Sequence, residues 1–267
     1  MLTNLFKISG GAVVLYMAAL PFIEPPKDLA AEQIKATKER EALARQKAEE
    51  EKKNSLPDFG AIYDVKQKKK AFFDYLTPYI KQINEELATE HSFIQSLQTN
   101  PNNDEDAKHL AKLAKKYRVK QSQDFVFIKS ELLRRVDQLP IELVLMQAAN
   151  ESAWGTSRFA LQANNLFGQW CFKPGCGVVP EGRPEGETYE VRKFNHPAES
   201  VKSYFYNLNT GYAYEDLRIV RHTLRSLNEE LDPMVLAEGL LAYSTRREAY
   251  VDEIQKMISV NAIYISK

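Results

Sequence analysis

The spacing of hydrophobic and polar positions divides the chain into three stretches. Residues 5–23, LFKISGGAVVLYMAALPFI, are apolar apart from Lys7, and the 16 residues from Ile8 to Ile23 carry no charge. That run is just short of the roughly 17 to 25 residues that span a bilayer and exceeds the roughly 7 to 15 of a signal-peptide core. Residues 28–53, DLAAEQIKATKEREALARQKAEEEKK, interleave seven acids with seven bases and hold almost no large apolar side chain. Such a segment cannot bury a face, so 28–56 is predicted to be a solvated helix or a disordered stalk acting as a spacer. A short coiled coil competes, but Leu29, Ile34 and Leu43 do not keep heptad spacing.

From Pro57 to Lys267 the pattern becomes that of helices with apolar faces. Ile62, Val65, Phe72, Phe73, Tyr75, Leu76, Tyr79, Ile80 and Ile83 recur at three-to-four spacing, with Pro78 placed to bend or interrupt the helix. Leu110, Leu113 and Tyr117 form a second stripe, and Phe127, Ile128, Leu132 and Val136 a third. The segment LPIELVLMQAANE is apolar almost all round, which predicts a helix in the middle of a domain. Residues 171–195 break the periodicity with alternating Gly and Pro, and TYEVRKFN alternates as a short strand does, so a loop and a small β-hairpin are expected. Helical spacing resumes at Pro197, again behind the Asp232-Pro233 cap, and ends on the stripe Val251, Ile254, Met257 and Ile258. The expected fold is mainly α with one β excursion.

Composition narrows the partners. With 267 residues and 44% hydrophobic content, one globular domain of about 200 residues plus extra segments is expected, as a monomer. Lys plus Arg and Asp plus Glu both number 36, so no net field draws the molecule to nucleic acid. His91, His109, His196 and His222 are scattered; without ligand spacing, neither a metal nor another cofactor is expected. Residues 1–27 read as a signal peptide or signal anchor. The absence of an Ala-x-Ala site before Pro21 favours the anchor, and Lys7 with the terminal amine keeps the N-terminus cytoplasmic. The remainder is then exported, held at the inner membrane, or secreted if the segment is cleaved. Cys171 and Cys176, five apart in a Gly/Pro loop, suit a short disulfide in an oxidising compartment.

One carboxylate stands out. If 140–151 is a helix, Glu151 lies seven, four and three residues beyond Val144, Gln147 and Ala148, on one face. A carboxyl held against apolar neighbours has its charged form disfavoured, which keeps a proton available near neutrality for general-acid work. Ser152, Ala153 and Gly155 are small and leave room for a ligand. A solvated glutamate at a helix end is the plainer reading of the position alone.

The surrounding stretch is more specific. AANESAWGTS followed by NNLFG resembles the signature of the bacterial glucosaminidases of glycoside hydrolase family 73, and CFKPGCG, NLNT and YSTRREAYVDEI resemble its Bax-like branch in Gram-negative bacteria. The resemblance runs over about 58–265 and is strongest at 138–255. It implies a lysozyme-like α+β fold with a groove over 57–267, and cleavage of the β-1,4 bond after N-acetylglucosamine in peptidoglycan glycan strands in the periplasm. Glu151 is then the general acid, and Trp154, Phe167 and Trp170 are candidate faces for sugar rings, with Phe167 also reading as core. Asn164 and Asn165 hold the turn, with sugar contact by Asn165 a secondary role. A second carboxylate is sought on the β lobe among Glu181, Glu185, Glu187 and Glu190; Glu181 and Glu190 are the leading candidates, and the substrate's own acetamido group is the alternative. Tyr243 matches the family tyrosine that faces the acid, although Arg246-Arg247 stands where the family has Asp-Pro, and Tyr250 matches a later tyrosine read as structural. A lytic transglycosylase and a non-catalytic glycan-binding scaffold are the rival functions.

Overall fold

The computed structural model describes residues 27–265 apart from 99, 102, 121 and 123. The apolar N-terminal stretch lies outside the described residues, among which no helix is long and apolar enough to cross a membrane. The chain divides into two compact units, 1–53 and 54–267. In the first, α1 (Lys27–Lys53) turns the charged stretch into helix, and every side chain described in it is exposed. Ala, Glu, Lys, Arg and Gln are strong helix formers, and this helix is longer than the 12 to 15 residues or so below which isolated helices are marginal.

The second unit contains α2 (Val65–Ser96), α3 (Asp104–Lys116), α4 (Phe125–Arg135), α5 (Ile141–Ser152), α6 (Arg158–Ala163), α7 (Pro197–Thr210), α8 (Glu215–Ser226), α9 (Pro233–Ala237) and α10 (Glu248–Asn261). Short polar side chains start several of them by accepting orphan backbone N–H groups. Asp64 accepts from Gln67 N at 2.8 Å, Asn103 from Asp106 N at 2.9 Å and Asp232 from Met234 N at 2.7 Å. α5 is the hub: Leu143 to Ala149 are all buried, and the helix packs against α2, α9 and α10. Its neighbours bring Phe72, Phe73, Leu76 and Ile80 from α2, Tyr204 and Phe205 from α7, and Tyr250 and Ile254 from α10.

Two expectations change here. α2 stays helical through Pro78, which lies on the exposed side of the helix, away from the buried stripe. Phe127 is 39% exposed while Leu132 and Val136 are buried, because 128, 132 and 136 share a helix face and 127 falls off it.

The β excursion is a three-stranded antiparallel sheet rather than a simple hairpin. β1 (Trp170–Cys171), β2 (Gly177–Val178) and β3 (Glu190–Arg192) lie in the order β1-β3-β2, with Trp170 and Val178 both opposite Val191. The Cys171–Cys176 disulfide, with Cα atoms 6.3 Å apart, ties the connection between β1 and β2 into a tight loop. The amides of Gly175 and Gly177 donate to Glu190 instead, which draws β3 into the centre. The result is a mainly helical unit with a small sheet, consistent with a lysozyme-like fold.

Candidate active site

Glu151 occupies the last turn of α5, half-buried. Three successive positive φ angles follow it, at Ala153 (50°), Trp154 (60°) and Gly155 (76°). Such a run is costly for non-glycine residues and holds only where the surroundings enforce it. Ser152 enforces part of it: its Oγ donates to Ala148 O at 2.6 Å and accepts from Gly155 N at 2.8 Å. A Cβ on Gly155 would sit 2.6 Å from the Phe59 ring. The small residues after Glu151 therefore serve packing rather than ligand access: Ser152 and Gly155 are buried, and Ala153 alone is exposed.

The glutamate's surroundings are a belt of tyrosines. Tyr250 Oη donates to Glu151 Oε1 at 2.9 Å, and Asn150 Nδ2 donates weakly to the same oxygen at 3.4 Å. Among the described residues no hydrogen bond reaches Oε2, the oxygen beside exposed Gly168, where an added Cβ would lie 4.0 Å away. Burial raises the carboxyl's pKa above the usual glutamate range, against the opposing hydrogen bonds from Tyr250 and Asn150. Tyr243 stacks on Tyr250, rings 5.3 Å apart and 9° from parallel, but its Oη donates to Phe167 O at 3.2 Å. Tyr250, from the first turn of α10, is the tyrosine that touches the acid. Arg246 extends over the Tyr250 ring and pairs with Glu253 at 2.5 Å. Arg247, at the position where the family has Pro, adopts φ 47° and ψ −113°.

The Asn-Asn-Leu-Phe-Gly turn is held by its own side chains. Asn165 is buried; its Nδ2 donates to Gln169 O and Arg192 O, and its Oδ1 accepts from Phe167 N and Gln169 N. Asn164 Nδ2 reaches Asn54 O and Phe194 O, both at 3.1 Å. Phe167 is buried and stacks on Tyr204 at 4.1 Å. Trp154 is wedged between Phe72 and Phe73, ring centroids 5.9 and 5.4 Å away, with Lys69 Nζ 5.0 Å above it. Trp170 differs: it is 56% exposed and backed by Tyr189 at 4.5 Å, rings within 7° of parallel. Of the three aromatics, it presents the open flat face.

The lobe glutamates lie in contrasting places. Both Glu190 oxygens are taken, Oε1 by Gly175 N at 2.9 Å and Oε2 by Gly177 N at 2.8 Å. Those two backbone donors hold its pKa below the usual range. Glu181 has an 87% exposed side chain and lies 3.6 Å from Arg158 Nε; Glu185 and Glu187 are exposed as well. Cys171, Cys176 and Glu190 bring potential ligand atoms within 4.8 Å of one another, but the two sulfurs are bonded to each other and offer no thiolate.

A half-buried carboxyl at a helix end with its pKa raised by burial, on a mainly helical unit that also carries a small β lobe, is an arrangement suited to acid-assisted cleavage of a glycosidic bond. The glucosaminidase family model, described as mannosyl-glycoprotein endo-beta-N-acetylglucosaminidase, matches residues 128–262, and the chain belongs to this family of glycoside hydrolase-like enzymes. Within it the chain is Bax-like. It is 34% identical over 212 residues to Protein bax of Escherichia coli (strain K12), covering 79% of this chain and 76% of that protein. No solved structure matches it at a significant level.

Proposed function

We propose that the protein is an exported hydrolase of peptidoglycan glycan strands, cleaving the β-1,4 bond after N-acetylglucosamine with Glu151 as general acid. Its N-terminal segment anchors it to the inner membrane and α1 spaces it from the bilayer, so that the second unit works in the periplasm. The observation that carries this reading is the Glu151 carboxyl: burial raises its pKa, Tyr250 holds Oε1, and among the described residues no hydrogen bond reaches Oε2 beside Gly168. A protonated Oε2 donates to the glycosidic oxygen as the C–O bond breaks. Trp170 supplies a flat face for a sugar ring, and Tyr243 helps shape the wall around Tyr250. Glu190 braces the lobe, which leaves Glu181 or the substrate's acetamido group to stabilise the oxocarbenium-like centre.

Purified protein acting on isolated sacculi tests this. Reducing N-acetylglucosamine ends should appear by mass spectrometry, and Glu151→Gln should abolish them while binding to sacculi persists. Wild-type protein that binds and never cuts would mark a scaffold instead. The two tied oxygens of Glu190 and the 87% exposure of Glu181 also favour a second reading, lytic transglycosylation, which needs one glutamate; anhydromuramic ends would establish it. Glu181→Gln lowering kcat more than about a hundredfold would assign the second carboxylate, a size typical of lost acid–base or nucleophilic help.

A further inference from the structure

The acid is the end point of a buried hydrogen-bond chain that runs one way. Tyr204 Oη donates to Gln147 Oε1, Gln147 Nε2 donates to Tyr250 Oη at 2.9 Å, and Tyr250 Oη donates to Glu151 Oε1 at 2.9 Å. Tyr204, Gln147 and Tyr250 are buried, and they come from α7, α5 and α10 respectively. A carboxylate only accepts and an amide nitrogen only donates. Whenever Glu151 is ionised, Tyr250 must donate to it, Gln147 must turn its nitrogen to Tyr250, and the amide oxygen is left for the Tyr204 hydroxyl. A proton on Oε1 would compete with the Tyr250 hydrogen for that oxygen; for Tyr250 to accept instead, its hydrogen would have to turn away from Glu151, and turning it to Gln147 would need the buried amide to flip against Tyr204. Placing it on Oε2 disturbs nothing.

From this we propose that Tyr250, Gln147 and Tyr204 are positioning residues that fix the acid's proton on Oε2, on the Gly168 side, through the whole reaction cycle. The inference rests on the reading of Glu151 as general acid. In the cleavage step the Oε2–H bond breaks, the glycosidic oxygen takes the proton together with the electron pair of its broken C–O bond, and Glu151 is left as a carboxylate. Oε1 meanwhile keeps the same donor before and after. No polar group inside the protein has to turn during the step, and a preorganised site of this kind lowers the reorganisation cost.

The test compares Tyr250→Phe, Tyr204→Phe and Glu151→Gln with wild-type full-length protein on purified glycan strands, measuring kcat and KM across pH, and thermal unfolding alongside. Tyr250→Phe removes a donor that favours the ionised carboxyl, so the alkaline limb of kcat should move to higher pH. The plateau should fall by about tenfold to a hundredfold, the range expected when a reacting group loses its alignment, with KM unchanged. Tyr204→Phe, which frees the Gln147 amide while keeping the Tyr250 bond, should give a smaller loss of kcat. A carbon-13 resonance from the Glu151 carboxyl should titrate to higher pH in Tyr250→Phe, in step with the kinetic limb. If Tyr250→Phe lowers the melting temperature but leaves the kcat profile and that resonance unmoved, the chain is only structural and the proposal fails. If Glu151→Gln retains activity, the reading of the acid fails first, whatever the tyrosine variants do.

Discussion

Burial makes ionised Glu151 costlier in the folded chain than in the unfolded one, so the proposed general acid works against stability. Its folded pKa is raised; stability linked to it is fully present below the unfolded glutamate value and is lost as pH rises through the folded one. Glu151→Gln keeps the shape and the acceptor for Tyr250 and removes the charge. The variant should therefore melt higher than wild type at neutral pH, by about 1 kcal/mol as is usual when one such compromise is relieved, and the two curves should converge below pH 4 or so. Equal melting temperatures at pH 7 would show that the carboxyl is not strained by its surroundings. Trp170 belongs to the same scale. Its exposed ring already rests on Tyr189, so Trp170→Ala should cost the roughly 0.5–1.5 kcal/mol of one aromatic stack, seen as a KM up to about tenfold higher with kcat held. The carboxyl was legible in the chain because a lone acid ends an apolar run; Tyr250 was not, because it lies 99 residues away and nothing in the local spacing separates it from Tyr243.

Helices meet around a second buried charge cluster, far less visible in the sequence. Asp137, between α4 and α5, receives Arg225 Nε at 3.0 Å and Nη2 at 2.9 Å. Arg221, wholly buried on α8, donates to Arg134 O and Arg135 O at the end of α4, to Asp137 O, and to Asn209 Oδ1 on α7. Desolvation pushes the Arg221 pKa down to about 10 despite the nearby Asp137 charge. Burial alone would raise the Asp137 pKa, but the Arg225 hydrogen bond and the charges of Arg221 and Arg225 more than reverse it, leaving it below the ordinary value. A depressed folded pKa adds stability that is present above the unfolded aspartate value and lost as pH falls through the folded one. Asp137→Asn should flatten that part of the acid limb and, by leaving Arg221 uncompensated, cost about 3–5 kcal/mol at neutral pH in urea unfolding. A cost near zero would mean that the carbonyls alone satisfy both arginines. In a sequence, arginines three and four apart on an amphipathic helix read as solvated; only the crossing of α4, α7 and α8 reveals that Arg221 caps a neighbour's carbonyls. Glu190 hides similarly, since its partners are two backbone amides that carry no sequence signature.

For the whole molecule, the pattern of apolar positions changes at Pro57, the buried core starts one residue earlier, at Leu56, and the two compact units divide after Lys53; a segment without apolar side chains has nothing to bury. The described side chains of α1 are all exposed, and its 27 residues would extend about 40 Å at 1.5 Å per residue. Among the described residues, the second unit has a core of its own that runs from Leu56 to Ile258. A chain beginning at Asn54 should therefore fold by itself, with the melting temperature and the kcat on soluble glycan strands of the full-length protein. In cells, the full chain should fractionate with membranes and the same unit behind a cleavable export signal should be released with the soluble periplasm. Activity on intact sacculi separates tethering from folding: the released unit should cut detached sacculi as fast as the full chain does. A melting temperature several degrees lower for the shorter chain would show that α1 contributes to the fold, and a full chain found in the soluble fraction would remove the anchor from the proposal.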